Sequence, residues 1–295
     1  MPIQDDITWF KQQFQDDIQT AIEDTPFKIE LLIAIALQET GYLWRNIYKR
    51  ETVAKTLELC VGDTLDSPRR SAFPKNKTEL LSVPKGDEMF KIAREALESI
   101  APYNNGFRTA ARNPDKFCRG FGIFQYDLQF FKVNPDFFFE KRWYNFDESL
   151  NIAVEELKEK LIRTYGRDKT SLTDKEMVYV AIAYNRGSVD FSRGFKQGHK
   201  DSSGKYYGEY IWEYLQLAKK NSGNTANSEQ YEVNARSGLR IRSGPGTNFD
   251  VIDLLPFGSR VSVGRRQGEW IEVDLQGDGV IDGFVFASFL KPIIN

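Results

Sequence analysis

The sequence predicts an α+β protein with two domains, a mainly helical domain followed by a small all-β barrel. Three observations predict this fold class. The chain has 295 residues, more than one average domain needs. Apolar residues recur at three- and four-residue steps over the first two-thirds, which is the period of α-helices. Short β-rich runs separated by Gly and Pro then follow a polar stretch.

The helical domain is predicted to cover residues 1–220. Its first helix has an apolar stripe formed by Ile7, Phe10, Phe14, Ile18 and Ile22. The second helix runs from about Phe27 through Gln38 and is apolar nearly all round, so we expect it inside the domain. Gly41 is expected to end this helix.

Three further helices are predicted near 88–100, 147–165 and 207–220. In the first two, the inward residues are expected to be Ile92, Ala96, Ile100, Ile152, Leu157 and Leu161. Thr173 followed by Glu176 is a capping-box pattern, which predicts the start of another helix that leads into AIAYNRG.

The domain boundary is predicted at 221–230, where NSGNTANSEQ is polar, lacks periodicity and is typical of a flexible linker. Residues 231–295 form the predicted barrel. Its β-rich runs are LRIRS, VIDLL, RVSVG, EWIEVDL and GFVFASFL.

Charge and hydropathy exclude several classes of function. The net charge is −2 and the pI about 5.7, so no basic field exists to hold nucleic acid. The longest apolar run, at 31–37, is too short to span a bilayer. The first residues lack the pattern of a secretory signal. We therefore expect neither a nucleic-acid partner nor a transmembrane segment.

The chain has one histidine and two cysteines, so carboxylates are the expected catalytic groups. His199 is the single histidine, so a zinc site that draws on several imidazoles is not expected. Cys60 and Cys118 lack metal-type spacing, and reduced thiols are favoured over a disulfide, although both states stay open. We expect no metal and no cofactor, and chemistry that depends on acidic side chains.

Three short segments of the helical domain carry groups suited to a glycan site. ALQETG places Glu39 after an apolar helix, where burial would keep its carboxyl protonated near neutrality. RGFGIFQYD contributes Gly122, which lets backbone approach a ligand, and the amide of Gln125. AIAYNRG contributes Tyr184 and Asn185. For Glu39 the alternative is a surface acid near a helix C-terminus, where the helix macrodipole disfavours an anion. The glycines with Gln125 are a weak signal when taken alone. AIAYNRG in isolation is more often core packing and a helix cap.

In this order, the three segments resemble the signature of goose-type lysozymes and soluble lytic transglycosylases, over about residues 27–187. Thr40 stands where that family usually has Ser. The resemblance implies that Glu39 is the catalytic acid. It also implies that Asp127 and Asp115 help a hydrolytic water, as acids near these places do in the goose-type branch. Additional sugar contacts are expected from aromatic residues, with Tyr42, Tyr126 and Tyr184 as candidates.

The C-terminal segment is similar to the bacterial SH3-like family, through LRIRSGPGTN, PFGS, GEWIEV and GFVFASFL. This resemblance implies binding to a cell-wall peptide or cross-bridge. Trp270 is expected to pack the barrel and partly line a groove. Arg240 and Arg242 are candidates for contacts with carboxylates, with a solvated strand face as the alternative.

Together, these observations predict a peptidoglycan muramidase that cleaves the MurNAc–GlcNAc β-1,4 bond and is held on the wall by its barrel. The alternatives are a lytic transglycosylase with 1,6-anhydro products, and a wall-binding protein without catalysis. Since no signal sequence is evident, a phage-like particle, an endolysin route after lysis or a contractile injection system is expected to bring the protein from the cytoplasm to the wall.

Overall fold

The computed structural model describes residues 3–62, 71–222, 230–275 and 281–293. The chain divides into two compact units, Met1–Lys219 and Lys220–Asn295. Helices make up most of the first unit and an antiparallel sheet makes up the second, which confirms the α+β prediction. Most of the predicted linker lies outside the described residues, because 223–229 are not among them.

The first unit contains helices of very different lengths. In chain order they are α1 (Ile3–Ala21), α2 (Ile29–Ile47), α3 (Val53–Glu58), α4 (Lys77–Leu81), α5 (Gly86–Ile100), α6 (Asn105–Ala111), α7 (Pro135–Phe139), α8 (Phe146–Tyr165), α9 (Asp174–Arg186) and α10 (Tyr207–Ser222). A small antiparallel sheet interrupts them, in the order β1 (Val61–Gly62), β2 (Gly120–Phe121), β3 (Tyr126–Asp127).

Helix α2 forms the centre of the first unit. Every residue from Leu31 through Leu37 is buried, as its all-round apolar sequence predicts. The expected end at Gly41 is wrong, because the helix continues to Ile47. The apolar spacing resumes after Gly41 with Leu43 and Trp44, whose burial outweighs the modest cost of a glycine inside a helix.

Helices α1, α5 and α8 each bury one face. In α1, the predicted stripe is buried except for Ile22, which follows the helix. In α5, the fully inward residues are Met89, Ala93, Leu97 and Ile100, so Ile92 and Ala96 are only partly buried. Helix α8 buries Leu157 and Leu161, and it leaves Ile152 partly buried.

Two polar arrangements fix the ends of helices. Thr173 and Glu176 form the predicted capping box at the start of α9, which ends at Gly187 in a left-handed conformation. Asp6 of α1 is fully buried and accepts from Arg45 and Tyr48 at 2.7 and 2.9 Å, which joins α1 to the end of α2.

The second unit is one antiparallel sheet around a small apolar core. Its strands are β4 (Gln230–Val233), β5 (Leu239–Arg242), β6 (Val251–Leu255), β7 (Arg260–Gln267), β8 (Trp270–Asp274), β9 (Gly283–Phe286) and β10 (Leu290–Pro292). They are ordered β10-β4-β7-β8-β9-β5-β6. The buried residues of this apolar core are Val233, Leu239, Ile241, Leu255, Val261, Val273 and Val285.

Among the described helices, none is both long and apolar enough to cross a membrane. Cys60 and Cys118 are both buried, and neither forms a disulfide in the part of the chain that the structure describes. Burial raises the pKa of the Cys60 thiol to about 12, so this group stays protonated at neutral pH and is a poor nucleophile.

Candidate functional site

A cavity of about 510 Å³ opens in the first unit beside the middle of α2. Its walls come from α2, the β2–β3 hairpin, α8, α9 and the start of α10. The lining residues are Gln38, Glu39, Tyr42, Gly120, Gln125, Asp127, Gln129, Phe130, Glu156, Tyr184, Asn185, His199 and Tyr207. The three segments singled out in the sequence therefore meet at one cavity, although up to 146 residues separate Glu39 from Asn185.

Glu39 lies on the inner wall of the cavity with its side chain only partly exposed. Burial raises the pKa of its carboxyl to about 7, and the negative charge of Glu156 contributes in the same direction. An interaction with the Tyr207 hydroxyl opposes this rise. The carboxyl therefore remains largely protonated up to neutral pH, which suits a proton donor.

Tyr207 brings a hydroxyl into the cavity from the first residue of α10. Its side chain is 2% exposed, and among the described residues no regular hydrogen bond satisfies its hydroxyl oxygen. The hydroxyl nevertheless lies close enough to Glu39 for each group to change the pKa of the other. A buried polar group without a regular partner is costly.

Gln125 occupies the space that two glycines leave open. It has a left-handed backbone with a φ of 58°, and its Nε2 donates to the Gly122 carbonyl at 2.9 Å. A Cβ atom would lie 2.5 Å from Gln125 Oε1 if added to Gly62 and 2.2 Å if added to Gly120. The glycines thus hold the Gln125 amide at the cavity wall, where it can contact a sugar.

Tyr184 and Asn185 reach the cavity from the last turn of α9. The Tyr184 hydroxyl donates to the Phe124 carbonyl at 2.8 Å, which ties α9 to the hairpin that carries Gln125. Asn185 Oδ1 accepts from the backbone of His199 at 3.2 Å. Asn185 therefore positions the loop that places His199 at the cavity edge.

Two further carboxyl groups face the same cavity. Asp127 starts a short 3-10 turn, and its Oδ1 accepts from the Gln129 amide at 2.7 Å. Glu156 lies on α8, and its Oε1 is 3.4 Å from Lys160 Nζ. The pKa of Glu156 is raised overall, chiefly by burial, and the Lys160 ammonium limits the rise.

Tyr42 is the exposed aromatic residue at the mouth of the cavity, with 51% of its surface accessible. It also lines an adjacent cavity of about 200 Å³ with Arg50, Tyr103 and Asn104. Its ring is parallel to that of Phe107 at 6.5 Å. Contact between this aromatic face and a sugar ring stays a prediction.

The structure does not bring all the predicted residues to the cavity. Asp115 is exposed and pairs with Lys77 at 2.8 Å, away from the lining. Gly122 packs against α8, where an added Cβ would lie 2.5 Å from Ser149 Oγ. Tyr126 stacks on Phe130 and the neighbouring core instead of facing the cavity.

Five residues line the cavity although the sequence did not single them out: Glu156, Tyr207, Gln38, Gln129 and Phe130. The helical period of α8 could have pointed to Glu156. This residue follows the buried Ala153 by three positions, which places its carboxylate near the inward face of the helix. No sequence pattern pointed to Tyr207, because only the fold brings the start of α10 close to α2.

In the second unit, Arg242 and Trp270 form one cluster. The Arg242 guanidinium lies 5.9 Å from the Trp270 ring centroid and donates to the Thr247 and Phe249 carbonyls at 3.1 and 2.7 Å. Trp270 meets Phe286 edge-on at 5.5 Å. Arg242 is therefore tied to a loop, whereas Arg240, on the same face of β5, is exposed.

Comparison with known proteins identifies one part of the chain. Residues 237–291 match the family of the bacterial SH3 domain. The C-terminal unit thus contains such a domain, which suggests binding to the cell wall. No curated protein and no solved structure matches the chain.

Proposed function

We propose that the first unit cleaves the MurNAc–GlcNAc β-1,4 bond of peptidoglycan by hydrolysis, with Glu39 as the general acid. One observation carries this proposal. A carboxyl with a pKa raised to about 7 faces a cavity that is also lined by Gln125, Tyr184 and Asn185. These residues come from the three segments that resemble goose-type lysozymes and lytic transglycosylases.

The proposed reaction begins with a glycan strand in the cavity. Glu39 donates its proton to the glycosidic oxygen as the bond from that oxygen to the anomeric carbon breaks. A water molecule then bonds to the anomeric carbon and gives its proton to a second carboxylate. Asp127, which the resemblance assigns to this role, does line the cavity.

The second unit is proposed to hold the enzyme on the wall by binding a wall peptide or cross-bridge. Its bacterial SH3 domain supports this role. The exposed Arg240 and the Arg242–Trp270 cluster are proposed as contact residues. The particle that delivers the protein stays a prediction.

The direct test compares three proteins on purified peptidoglycan. Wild type is expected to lower turbidity and release muropeptides, whereas Glu39→Gln loses at least about 100-fold in rate because an amide cannot supply the proton. Glu30→Gln on the same helix is the matched control and is expected to keep wild-type activity, because Glu30 is not in the lining. Equal rates for Glu39→Gln and wild type would refute the proposal.

Mass spectrometry of the released fragments distinguishes hydrolysis from the transglycosylase reaction. We expect reducing MurNAc ends, because the cavity holds carboxylates besides Glu39 that can activate water. Fragments that end in 1,6-anhydro-MurNAc would contradict hydrolysis while leaving glycan cleavage by Glu39 intact.

A further inference from the structure

A second carboxylate in the cavity, Glu156, is a better candidate for the water-activating base than Asp127. The two carboxylates differ in the contacts that their oxygens make. Asp127 uses Oδ1 to accept from the Gln129 amide at 2.7 Å, which fixes the start of a 3-10 turn. Glu156 caps no backbone in the described residues, and its ion pair with Lys160 engages Oε1.

The charged surroundings of Glu39 and Glu156 differ, which favours Glu39 as the acid and Glu156 as the base. Both carboxyls are largely buried in one cavity, but a cation accompanies only Glu156 in the described structure. The Lys160 side chain is 11% exposed and contacts Glu156 at 3.4 Å. An ammonium beside one member of a carboxyl pair stabilises its charge, whereas the member without a cation retains its proton.

The Tyr207 hydroxyl lies on the wall of the same cavity as the two carboxyl groups. It is buried, lines the cavity, and has no regular hydrogen-bond partner among the described residues. The negative charges of Glu39 and Glu156 both raise its pKa. A water molecule or a substrate hydroxyl bound between the two carboxyls would satisfy it.

We propose that Glu156 is the catalytic base of this site, holding the hydrolytic water opposite Glu39, with Lys160 as the positioning residue that keeps it ionised. In the reaction, the water oxygen bonds to the anomeric carbon and one water proton passes to Glu156. Glu39 meanwhile gives its proton to the departing sugar oxygen, and exchange with solvent restores both groups. Asp127 then serves to hold the β3 turn that shapes the wall.

The inference rests on the proposed function, and its test measures kcat and KM on a soluble peptidoglycan glycan. Glu156→Gln is expected to lose at least about 100-fold in kcat with little change in KM. Asp127→Asn keeps the oxygen that caps the turn, so its loss is expected to stay below about tenfold. Glu159→Gln is the matched control, because Glu159 contacts the same Lys160 from the exposed side, at 3.5 Å.

A smaller loss in Glu156→Gln, or an equal loss in Asp127→Asn, would overturn the assignment. The outcome is separable from the proposed function, which fails only if wild type is inactive or Glu39→Gln is active. Circular dichroism and thermal melting check that each variant is folded.

Lys160→Gln keeps the carboxylate and provides a second readout if Glu156→Gln does not fold. Loss of the ammonium raises the pKa of Glu156, so the acid limb of the kcat profile is expected to move to higher pH. The other titratable groups at this site are Glu39, Asp127, Glu159, Tyr184, Tyr207 and His199. All of them are retained in this variant. An unmoved acid limb would contradict the role of Glu156.

Discussion

The Glu39 carboxyl lies where burial disfavours its charge and where no cation contacts it among the described residues. Two neighbours act on it with opposite sign. The charge of Glu156 favours the protonated form, and the Tyr207 hydroxyl favours the ionised form. Because the acid must carry a proton to work, activity is expected below its pKa of about 7 and is lost as pH rises through that value.

Replacing Tyr207 by Phe removes the interaction that lowers the pKa of Glu39. The alkaline limb of the kcat/KM profile is therefore expected to move to higher pH. Tyr206→Phe is the neighbouring control and is expected to leave the limb in place, because Tyr206 is not in the lining. Movement of the alkaline limb to lower pH in Tyr207→Phe would contradict the idea that the Tyr207 hydroxyl stabilises the ionised Glu39 carboxyl.

At the residue scale, sequence patterns found the groups that lie in short local motifs. The cavity lining includes Glu39, Gln125, Tyr184 and Asn185. The roles that their motifs suggest stay predictions. Asp115 does not line the cavity, because a turn-like sequence says nothing of the direction in which its side chain points. Glu156 and Tyr207 were missed, since only packing between distant helices brings them to Glu39.

At the scale of elements, α2 and the β2–β3 hairpin are joined by one buried hydrogen bond. Thr40 is fully buried, and its hydroxyl donates to the Ile123 carbonyl at 2.7 Å. Thr40 follows Glu39 directly, and Ile123 lies two residues before Gln125. The hydrogen bond therefore fixes the position of Glu39 relative to Gln125. A serine at this place would supply the same donor.

Thr40→Val is expected to lower the free energy of unfolding by about 1–3 kcal/mol, because it leaves a buried carbonyl without its donor. Thr40→Ser keeps the hydroxyl and is expected to be the less destabilised of the two variants. Chemical denaturation measures both. Equal stability of the two variants would show that the hydrogen bond to Ile123 contributes little.

The elements also show where periodicity succeeds and where it does not. The starts of α8 and α9 were predicted closely, because Thr173 and Glu176 form a capping box and the apolar spacing of α8 is regular. The end of α2 was predicted wrongly, because a glycine can end a helix or be buried within it, and the packing of Leu43 and Trp44 decides.

At the scale of the whole molecule, the two units have separate tasks in the proposed function. The net charge of −2 offers no general attraction to an anionic wall, so retention there is left to specific contacts. The bacterial SH3 domain at 237–291 is the described part that suggests such contacts. The two-domain organisation was predicted from the length of the chain and from the change in apolar periodicity after residue 230.

Deletion of residues 231–295 is expected to weaken co-sedimentation with purified walls at least about tenfold. Cleavage of soluble glycan fragments should be unchanged, since the cavity is lined by first-unit residues alone. That unchanged cleavage also shows that the shortened chain is folded. Equal wall binding by both proteins would contradict the targeting role.

The pH dependence of kcat/KM on a soluble peptidoglycan glycan tests the central claim most directly. For wild type we expect a single-proton loss of activity above about pH 7, with Glu39→Gln inactive throughout. A wild-type profile without a limb near neutrality, or measurable cleavage by Glu39→Gln, would contradict Glu39 as the proton donor.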